Sequence, residues 1–169
     1  MKKFTRGPVS LKALNRSGFT LIEVLVVIGI IAILAAIVII AINPARQFAQ
    51  ARNSQRVSNV NSILNAIGQR LADKRGVWEE TSACEALPTA SSTTIGSDAA
   101  NIDLSCLVPT YIPSNLPYDP GILGAHWTDA SDYDTQYSVV ASSTGRITVC
   151  SSGYNEPSLD NPGTYCVTR

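Results

Sequence analysis

The feature that most constrains this chain is an uninterrupted apolar run near its N-terminus. Residues 24–42 are 19 consecutive residues without a charged or polar side chain. An α-helix rises about 1.5 Å per residue, and about 20 residues are needed to cross the core of a bilayer. Glu23 stands immediately before the run. A charge in a membrane helix costs about 2.5–3.5 kcal/mol at the bilayer centre, so this carboxylate needs an explanation.

The charges of the chain are divided unevenly around the apolar run. Residues 1–18 hold five of the thirteen Lys and Arg residues and no acid, which leaves eight basic and thirteen acidic residues in the remainder. Basic residues that flank a membrane helix stay on the cytoplasmic side. We therefore expect a single-pass inner-membrane protein with its N-terminus inside and its C-terminal part exported. The net-negative exported part does not indicate nucleic-acid binding, which depends on basic surface.

The residues around the start of the run follow a specific order. Residues 18–23 read Gly-Phe-Thr-Leu-Ile-Glu, after a basic leader and ahead of the apolar helix. This arrangement resembles the N-terminus of type IV pilins and type II secretion pseudopilins. The resemblance implies cleavage after Gly18 by a prepilin peptidase and N-methylation of the new amine on Phe19. It also implies that Glu23 pairs with the terminal amine of a neighbouring subunit, since a buried charge is tolerated only when it is paired.

Two other interpretations of the run stay open. A cleaved secretory signal has an apolar core of about 7–15 residues and a small-x-small cleavage site. The run observed here is longer, and Ala-Ile-Asn at residues 41–43 makes a poor site. An uncleaved membrane anchor fits the length but leaves Gly18, Phe19 and Glu23 unexplained.

A second helix is predicted beyond Asn43 and Pro44. Proline lacks the amide hydrogen and disfavours helical geometry in the residue before it, so a kink or short break is expected there. Apolar residues then recur at three- and four-residue steps up to a stop signal at residues 74–76. The predicted apolar face holds Phe48, Ala51, Val60, Ile63, Leu64, Ile67 and Leu71. The polar residues expected to turn away from it are Arg46, Arg52, Asn53, Arg56, Asn59 and Arg70. Joined to the membrane segment, this makes one helix of roughly 55 residues, far longer than a normal globular element.

The remainder of the chain predicts a small β-sheet head. Residues 77–110 are rich in Ser, Thr and Ala and are predicted as surface loop. Residues 116–120, Leu-Pro-Tyr-Asp-Pro, resemble the segment that precedes the sheet in major pseudopilins. Short strands are expected at residues 136–140, 146–150 and 165–167, the first two joined by a hairpin connection at 141–145. Their alternating apolar residues predict an antiparallel sheet with one face on the amphipathic helix.

These patterns together predict an α+β fold like that of type IV pilins, with a long N-terminal helix packed on a small antiparallel sheet. The expected organisation is a leader peptide at 1–18 and a transmembrane or filament-core helix at 19–43. The amphipathic helix of the head follows at 44–76, and a loop-rich, β-sheet head occupies 77–169.

Four cysteines lie in the part expected to be exported, where oxidation is normal: Cys84, Cys106, Cys150 and Cys166. Three pairings are possible, and proximity in the sequence favours Cys84 with Cys106 and Cys150 with Cys166 as structural bridges. A zinc site is the competing interpretation. The sequence has no Cys-x-x-Cys pair and a single histidine, His126, which argues against zinc.

Three aspartates precede the first predicted strand, at Asp129, Asp132 and Asp134. Closely spaced hard oxygen ligands suit calcium, and some major pseudopilins bind calcium in a loop of this region. The order lacks the Gly and the distal Glu of an EF-hand loop, so a solvated acidic loop is the favoured interpretation. Calcium is the one cofactor that the sequence leaves open.

The sequence predicts a structural subunit and no enzyme, because it contains no phosphate-binding loop, zinc-protease motif or nucleophile–base pair. The predicted role is that of a prepilin that becomes a subunit of a type IV pilus-like filament, a helical homo-oligomer. The resemblance implies as partners a prepilin peptidase, an inner-membrane platform protein and an assembly ATPase, with membrane lipid around the helix before assembly. The alternatives are a type II secretion pseudopilus subunit that drives protein export and a membrane-anchored binding domain that never polymerises.

Overall fold

The computed structural model describes residues 18–41, 43–160 and 163–169. Residues 1–17, and with them nearly all of the predicted leader, lie outside the described residues. Contacts divide the chain into two units, with the division between residues 42 and 43.

The first unit contains helix α1, Leu21–Ala41. None of its side chains is buried within the chain, and it is long and apolar enough to cross a membrane. A helix that is apolar on every face is stable only in lipid or when packed against other apolar surface. The predicted membrane segment is therefore helical from Leu21, and its whole surface is available for partners.

The second unit begins with helix α2, Pro44–Asp73. Asn43 has extended backbone dihedrals, and its side-chain Oδ1 accepts a hydrogen bond from the Arg46 N–H at 3.3 Å. Proline follows at the first helical position, where its missing N–H costs nothing. The predicted break at Asn43 and Pro44 is thus confirmed. The expected single helix of roughly 55 residues is wrong, because the cap separates helices of 21 and 30 residues.

Five antiparallel strands form the sheet. They are β1 Thr93–Gly96, β2 His126–Asp129, β3 Asp132–Ala141, β4 Ile147–Ser151 and β5 Tyr165–Thr168. The three predicted strands correspond to β3, β4 and β5. Strands β1 and β2 were missed, because their short polar sequences carry little strand signal and become strands by pairing with β3.

Strand β3 is the centre of the sheet. The strand order is β1-β3-β4-β5, and β2 pairs with the first residues of β3. Ala141 lies opposite Ile147, so the connection between β3 and β4 is the predicted hairpin. Alternate β3 side chains point inward, and Tyr133, Thr135 and Tyr137 are all buried.

The hydrophobic core lies between α2 and the sheet. Val60, Ile63 and Ile67 of α2 are fully buried and belong to one cluster with Tyr137, Val139 and Val149 of the sheet. The predicted packing of the amphipathic helix on one face of the sheet is therefore confirmed. The fold is α+β and pilin-like.

The first half of α2 departs from its predicted orientation. Phe48, expected on the apolar face, is 66% exposed, and Ala51 is exposed as well. The residues expected to turn away from the core include four that are buried: Asn53, Arg56, Asn59 and Arg70. The prediction was wrong because Asn53, Arg56 and Asn59 find hydrogen-bonding partners in distant parts of the head, which makes their burial tolerable. Arg70 donates instead to the Glu79 carbonyl just beyond α2.

Candidate functional site

The first turn of α1 is closed by a reciprocal pair of side chains. The Thr20 N–H and hydroxyl each donate to Glu23 Oε2 at 3.0 Å, and the Glu23 N–H donates to Thr20 Oγ1 at 3.3 Å. This is a capping box, in which residues three apart satisfy donors that the helix leaves free at its N-terminus. Glu23 is therefore held at the first turn by its own chain.

Gly18 and Phe19 lie immediately ahead of this cap, in non-helical backbone. Phe19 is 86% exposed, and a Cβ built on Gly18 would meet no atom within 4 Å. A peptidase needs access to the backbone, and Gly18 and Phe19 are both exposed and outside the helix.

Glu23 retains unused capacity to accept hydrogen bonds. Its Oε2 takes both Thr20 donors, while Oε1 has no hydrogen-bond partner among the described residues. In the described part of the chain, Glu23 also forms no salt bridge. The carboxylate is thus positioned by Thr20 and left open toward a cation from outside the described residues.

Comparison with known proteins gives one finding for this region. The family model of the prokaryotic N-terminal methylation motif matches residues 14–41. The chain carries the prepilin signature of type IV pilins and pseudopilins. The prepilin signature marks a structural subunit, and together with α1 it indicates a membrane-anchored protein that later enters a filament. Neither the curated proteins nor the solved structures contain a match to this chain.

A second constellation lies in the head, and the sequence did not predict it. We call it the Arg56 cluster: Arg52, Arg56, Asp119 and Glu156. The Arg56 guanidinium donates to both oxygens of Asp119, at 2.7 Å from Nε and 2.8 Å from Nη2. Its Nη1 donates to Glu156 Oε1, and Glu156 receives two further hydrogen bonds from Arg52 at 2.7 Å. The side chains of Arg56 and Asp119 are 2% and 0% exposed, so this pair is buried.

Pairing sets the ionisation of the Arg56 cluster. Burial alone raises the pKa of Asp119, but hydrogen bonds from Arg56 and from the N–H groups of Gly121 and Ile122 outweigh it and lower that pKa. Hydrogen bonds from Arg52, opposed by burial and assisted by Arg56, lower the pKa of Glu156 to about 2. Both carboxylates are therefore charged at neutral pH.

Neighbouring amides and glycines complete the Arg56 cluster. Asn53 Nδ2 donates to the Tyr154 carbonyl at 3.0 Å, and Asn59 Nδ2 donates to the Tyr118 carbonyl at 3.1 Å. A Cβ on Gly153 would lie 2.6 Å from Asp119 Oδ2, so only glycine fits there without a shift. The cluster therefore ties α2 to residues 116–122 and to the short 3-10 helix Ser152–Tyr154.

One sequence signal for the Arg56 cluster was available. Arg52 and Arg56 are four residues apart and therefore lie on one helix face. Asp119 belongs to the Leu-Pro-Tyr-Asp-Pro segment, in which no local pattern indicates a buried ion pair. Nothing in the local sequence links Glu156 to Arg56, a hundred positions earlier.

The structure places disulfides between Cys84 and Cys106 and between Cys150 and Cys166. This is the pairing that proximity in the sequence favours. Cys150 and Cys166 lie opposite each other on β4 and β5, so their bridge links paired strands. Cys84 and Cys106 connect the segment after α2 to the short 3-10 helix Ser105–Leu107. The second bridge therefore fixes the edge strand β5, and the first closes the loop-rich part of the head.

The three aspartates proposed as calcium ligands do not come together as one metal site. Asp129 accepts hydrogen bonds from Ser131, Asp132 from His126 and Asp134 from Gln136. Within residues 18–41, 43–160 and 163–169, no three His, Cys, Asp or Glu side chains come together as a metal site requires. Calcium binding stays an untested prediction, and protein groups supply the partners described here.

Proposed function

We propose that this chain is a prepilin, cleaved between Gly18 and Phe19, N-methylated at Phe19 and polymerised through α1 into a type IV pilus-like filament. The observation that carries the proposal is the prepilin signature at residues 14–41, which covers both the cleavage position and α1. The exposure of every α1 side chain supports polymerisation, because an apolar helix packs on copies of itself when it leaves lipid.

In this proposal, Glu23 fixes the axial position at which one copy of the chain docks on the next. Lipid and a bundle of apolar helices are similar environments, so hydrophobic transfer alone drives little association. A carboxylate and an amine that pair on docking remove two costly charges together. The capping box presents Glu23 Oε1 at a fixed place at the start of α1, where the Phe19 amine of an adjoining copy is its partner.

The proposal places the N-terminus in the cytoplasm and the head outside the cytoplasmic membrane. The excess of Lys and Arg in residues 1–18 supports this orientation, since positive charges flanking a membrane helix stay inside. The disulfides of the head are consistent with an oxidising compartment. Assembly in this location requires a prepilin peptidase, an inner-membrane platform protein and an assembly ATPase.

A pseudopilus subunit for protein export is the second candidate. It is favoured by residues 116–120, which resemble the Leu-Pro-x-Asp-Pro segment of major pseudopilins. The burial of Asp119 against Arg56 gives that segment a structural role. Two observations on cells separate the candidates. Long surface fibres seen by electron microscopy of cells that produce the chain support a pilus. Secretion that fails in cells without the chain supports a pseudopilus.

The decisive experiment is co-expression of the full chain with a prepilin peptidase, followed by mass spectrometry of the product. A product that begins at methylated Phe19 supports the proposal. A product cut near residue 41, or an uncut chain, contradicts it in favour of ordinary secretion or a plain anchor. A matched variant, Gly18→Val, places a branched side chain at the cleavage bond and is expected to stay uncut while still fractionating with membranes.

A further inference from the structure

The loop that precedes β2 presents a leucine at its tip. Leu123 is 99% exposed, and a single exposed apolar residue is common and needs no explanation by itself. Its loop, however, is held in place: Asp119 Oδ1 accepts the N–H groups of Gly121 at 2.8 Å and Ile122 at 2.9 Å. The Ala125 N–H donates to the Ile122 carbonyl at 3.3 Å, so Leu123 lies in the outer part of a tight turn. Leu123 is therefore an apolar projection that its own loop keeps fixed.

An open groove lies between the second half of α2 and the hairpin that joins β3 to β4. Its volume is about 480 Å³. The apolar side chains that line it are Leu64, Ile67, Leu71 and Ala72 of α2 and Ile147 of β4. Among the described residues of its lining, Arg169 alone is charged, and its guanidinium donates to Asn65 at the side of the groove. An aliphatic side chain that enters this groove would leave water for apolar surroundings, which favours binding.

The leucine and the groove lie at opposite ends of the head. A Cβ on Gly121 would lie 2.9 Å from Arg52 Cδ, which places the leucine loop against the first half of α2. The groove begins at Leu64, about 18 Å further along the helix axis. In the sheet, the Asp119 N–H donates to the Thr135 carbonyl in the first half of β3, whereas the hairpin follows the other end of that strand. The leucine therefore does not reach the groove of its own copy.

Each end of the head also carries an exposed charge, and the two charges have opposite signs. The Gly124 carbonyl lies 2.6 Å from His126 Nδ1, and His126 Nε2 lies 3.1 Å from Asp132 Oδ1, so the leucine loop borders the turn between β2 and β3. Asp129 in this turn is exposed and forms no ion pair with another described residue. Arg146 stands between two residues that line the groove; it too is exposed and has no ion pair within the described part of the chain.

We infer that Leu123 of one copy enters the groove of a neighbouring copy, with Asp129 facing Arg146, so that heads associate head to tail. The inference rests on the proposed function for the presence of neighbouring copies, and it adds a contact between heads to the packing of α1. The occupant of the groove is a second copy because this chain carries both halves of the contact. One half is an apolar projection beside a carboxylate, and the other is an apolar recess beside a guanidinium.

The placement of the two halves fits a filament. A contact between two different patches of the same chain is heterologous, so every copy that docks leaves a free projection at one end and a free groove at the other. Such contacts repeat from copy to copy and generate an open helical assembly unless their rotation closes a ring. Burial of the leucine contributes affinity, and the Asp129–Arg146 pair contributes orientation.

Cysteine crosslinking of the full chain tests this contact. The single variants Leu123→Cys, Ala72→Cys and Ala100→Cys each carry one free thiol, because the four natural cysteines are paired in disulfides. Two differently tagged variants are produced in the same cells, and sheared filaments are treated with a short bis-maleimide. Ala100 is the matched control, an exposed residue of the loop after β1. We expect Leu123→Cys to crosslink with Ala72→Cys and not with itself, and Ala100→Cys to crosslink with neither.

The other outcomes separate a failure of the contact from a failure of the proposed function. Filaments without a crosslink between positions 123 and 72 overturn the inference and leave the proposed function standing. Crosslinks of position 123 with itself, or equal crosslinks from position 100, also overturn it. If the natural chain forms no filaments, the proposed function is contradicted, and the detergent-solubilised full chain then decides the contact: a crosslink between positions 123 and 72 supports it, and absence of that crosslink overturns it.

Leu123→Ser tests the contact without added thiols. We expect the yield of sheared filaments to fall about ten-fold, because one leucine no longer leaves water at each contact. Peptidase cleavage and urea unfolding of the head should stay unchanged, since the side chain is exposed. Leu123→Met keeps an apolar projection of similar size and should retain most of the yield. A yield of Leu123→Ser equal to that of the natural chain would rule out the docking of this leucine.

Discussion

Helices α1 and α2 both begin with a capping side chain, but they differ in whether their charged side chains are buried and paired. In α1 the single charge, Glu23, is exposed and bound only by Thr20 of its own chain. In α2 the Arg56 guanidinium is buried and meets two carboxylates from the head. The comparison separates two uses of an ion pair: one pair is completed within the chain during folding, and the other, in the proposed function, is completed by a second copy.

The two charged sites, the Arg56 cluster and Glu23, should also affect different properties of the protein. Breaking the Arg56 cluster leaves buried charges without partners, so the cost falls on the stability of the head. Glu23 is exposed, so its loss removes a helix cap from the isolated chain; in the proposed function it also removes the charge that assembly requires. We therefore expect variants at the two sites to fail in different assays.

Glu23→Gln is the sharpest test of this separation. The amide oxygen still accepts the Thr20 hydrogen bonds, but the negative charge that would pair with the Phe19 amine is lost. We expect complete loss of filaments in sheared-cell preparations, with unchanged cleavage in the peptidase assay and unchanged unfolding of the head. The matched control is Thr20→Val, which removes the capping hydroxyl and keeps the charge. Filaments formed by Glu23→Gln at wild-type levels would refute the assembly role.

Arg56→Met probes the pair that is completed within the chain. It preserves much of the apolar stem and leaves Asp119 buried without its cation. We expect the free energy of unfolding of the head to fall by about 3–5 kcal/mol, measured by urea titration of tryptophan fluorescence. The control, Arg46→Met, changes an exposed arginine of the same helix and should alter stability by less than about 0.5 kcal/mol. Equal effects of the two substitutions would contradict the buried pair.

The pH dependence of stability tests the same cluster without removing a side chain. The pKa of Glu156 is about 2 in the folded head, against an ordinary value of 4.5. Because the folded pKa is the lower one, the contribution is fully present above pH 4.5 and is lost as the pH falls toward 2. The difference corresponds to about 3 kcal/mol. Glu156→Gln should therefore be less stable than the natural chain at pH 7 and approach it near pH 2, whereas parallel curves would argue against the shift.

The sequence anticipated those parts of the molecule that local pattern determines. Residues 18–23 predicted the start of α1, and the apolar steps from Val60 to Ile67 predicted the core face of α2. The spacing of apolar residues gave the wrong orientation at Phe48 and Arg56. The first half of α2 is polar, and the side of it that is buried is the side that meets the carboxylates of Asp119 and Glu156, which lie far away in the sequence. It failed also at β1 and β2, whose pairing with β3 is a long-range event that short polar segments do not encode locally.

The smallest expected effect comes from the glycine that closes the Arg56 cluster. In Gly153→Ala the new methyl group would lie 2.6 Å from Asp119 Oδ2 and 3.0 Å from Arg56 Nε, so the ion pair must move to admit it. We expect the free energy of unfolding to fall by about 1–3 kcal/mol in urea titration, which is typical of overpacking.

The control is Gly68→Ala, on α2 with no atom within 4 Å of its new methyl group. This substitution should instead stabilise the head by about 0.5–1 kcal/mol through helix propensity. Changes in stability of opposite sign at the two glycines would show that close packing around the buried ion pair, and not added methyl groups in general, causes the loss. An unchanged stability of Gly153→Ala would mean that the Arg56 cluster rearranges at little cost. The same substitution should leave filament formation intact at temperatures where the head stays folded, because it does not touch Glu23.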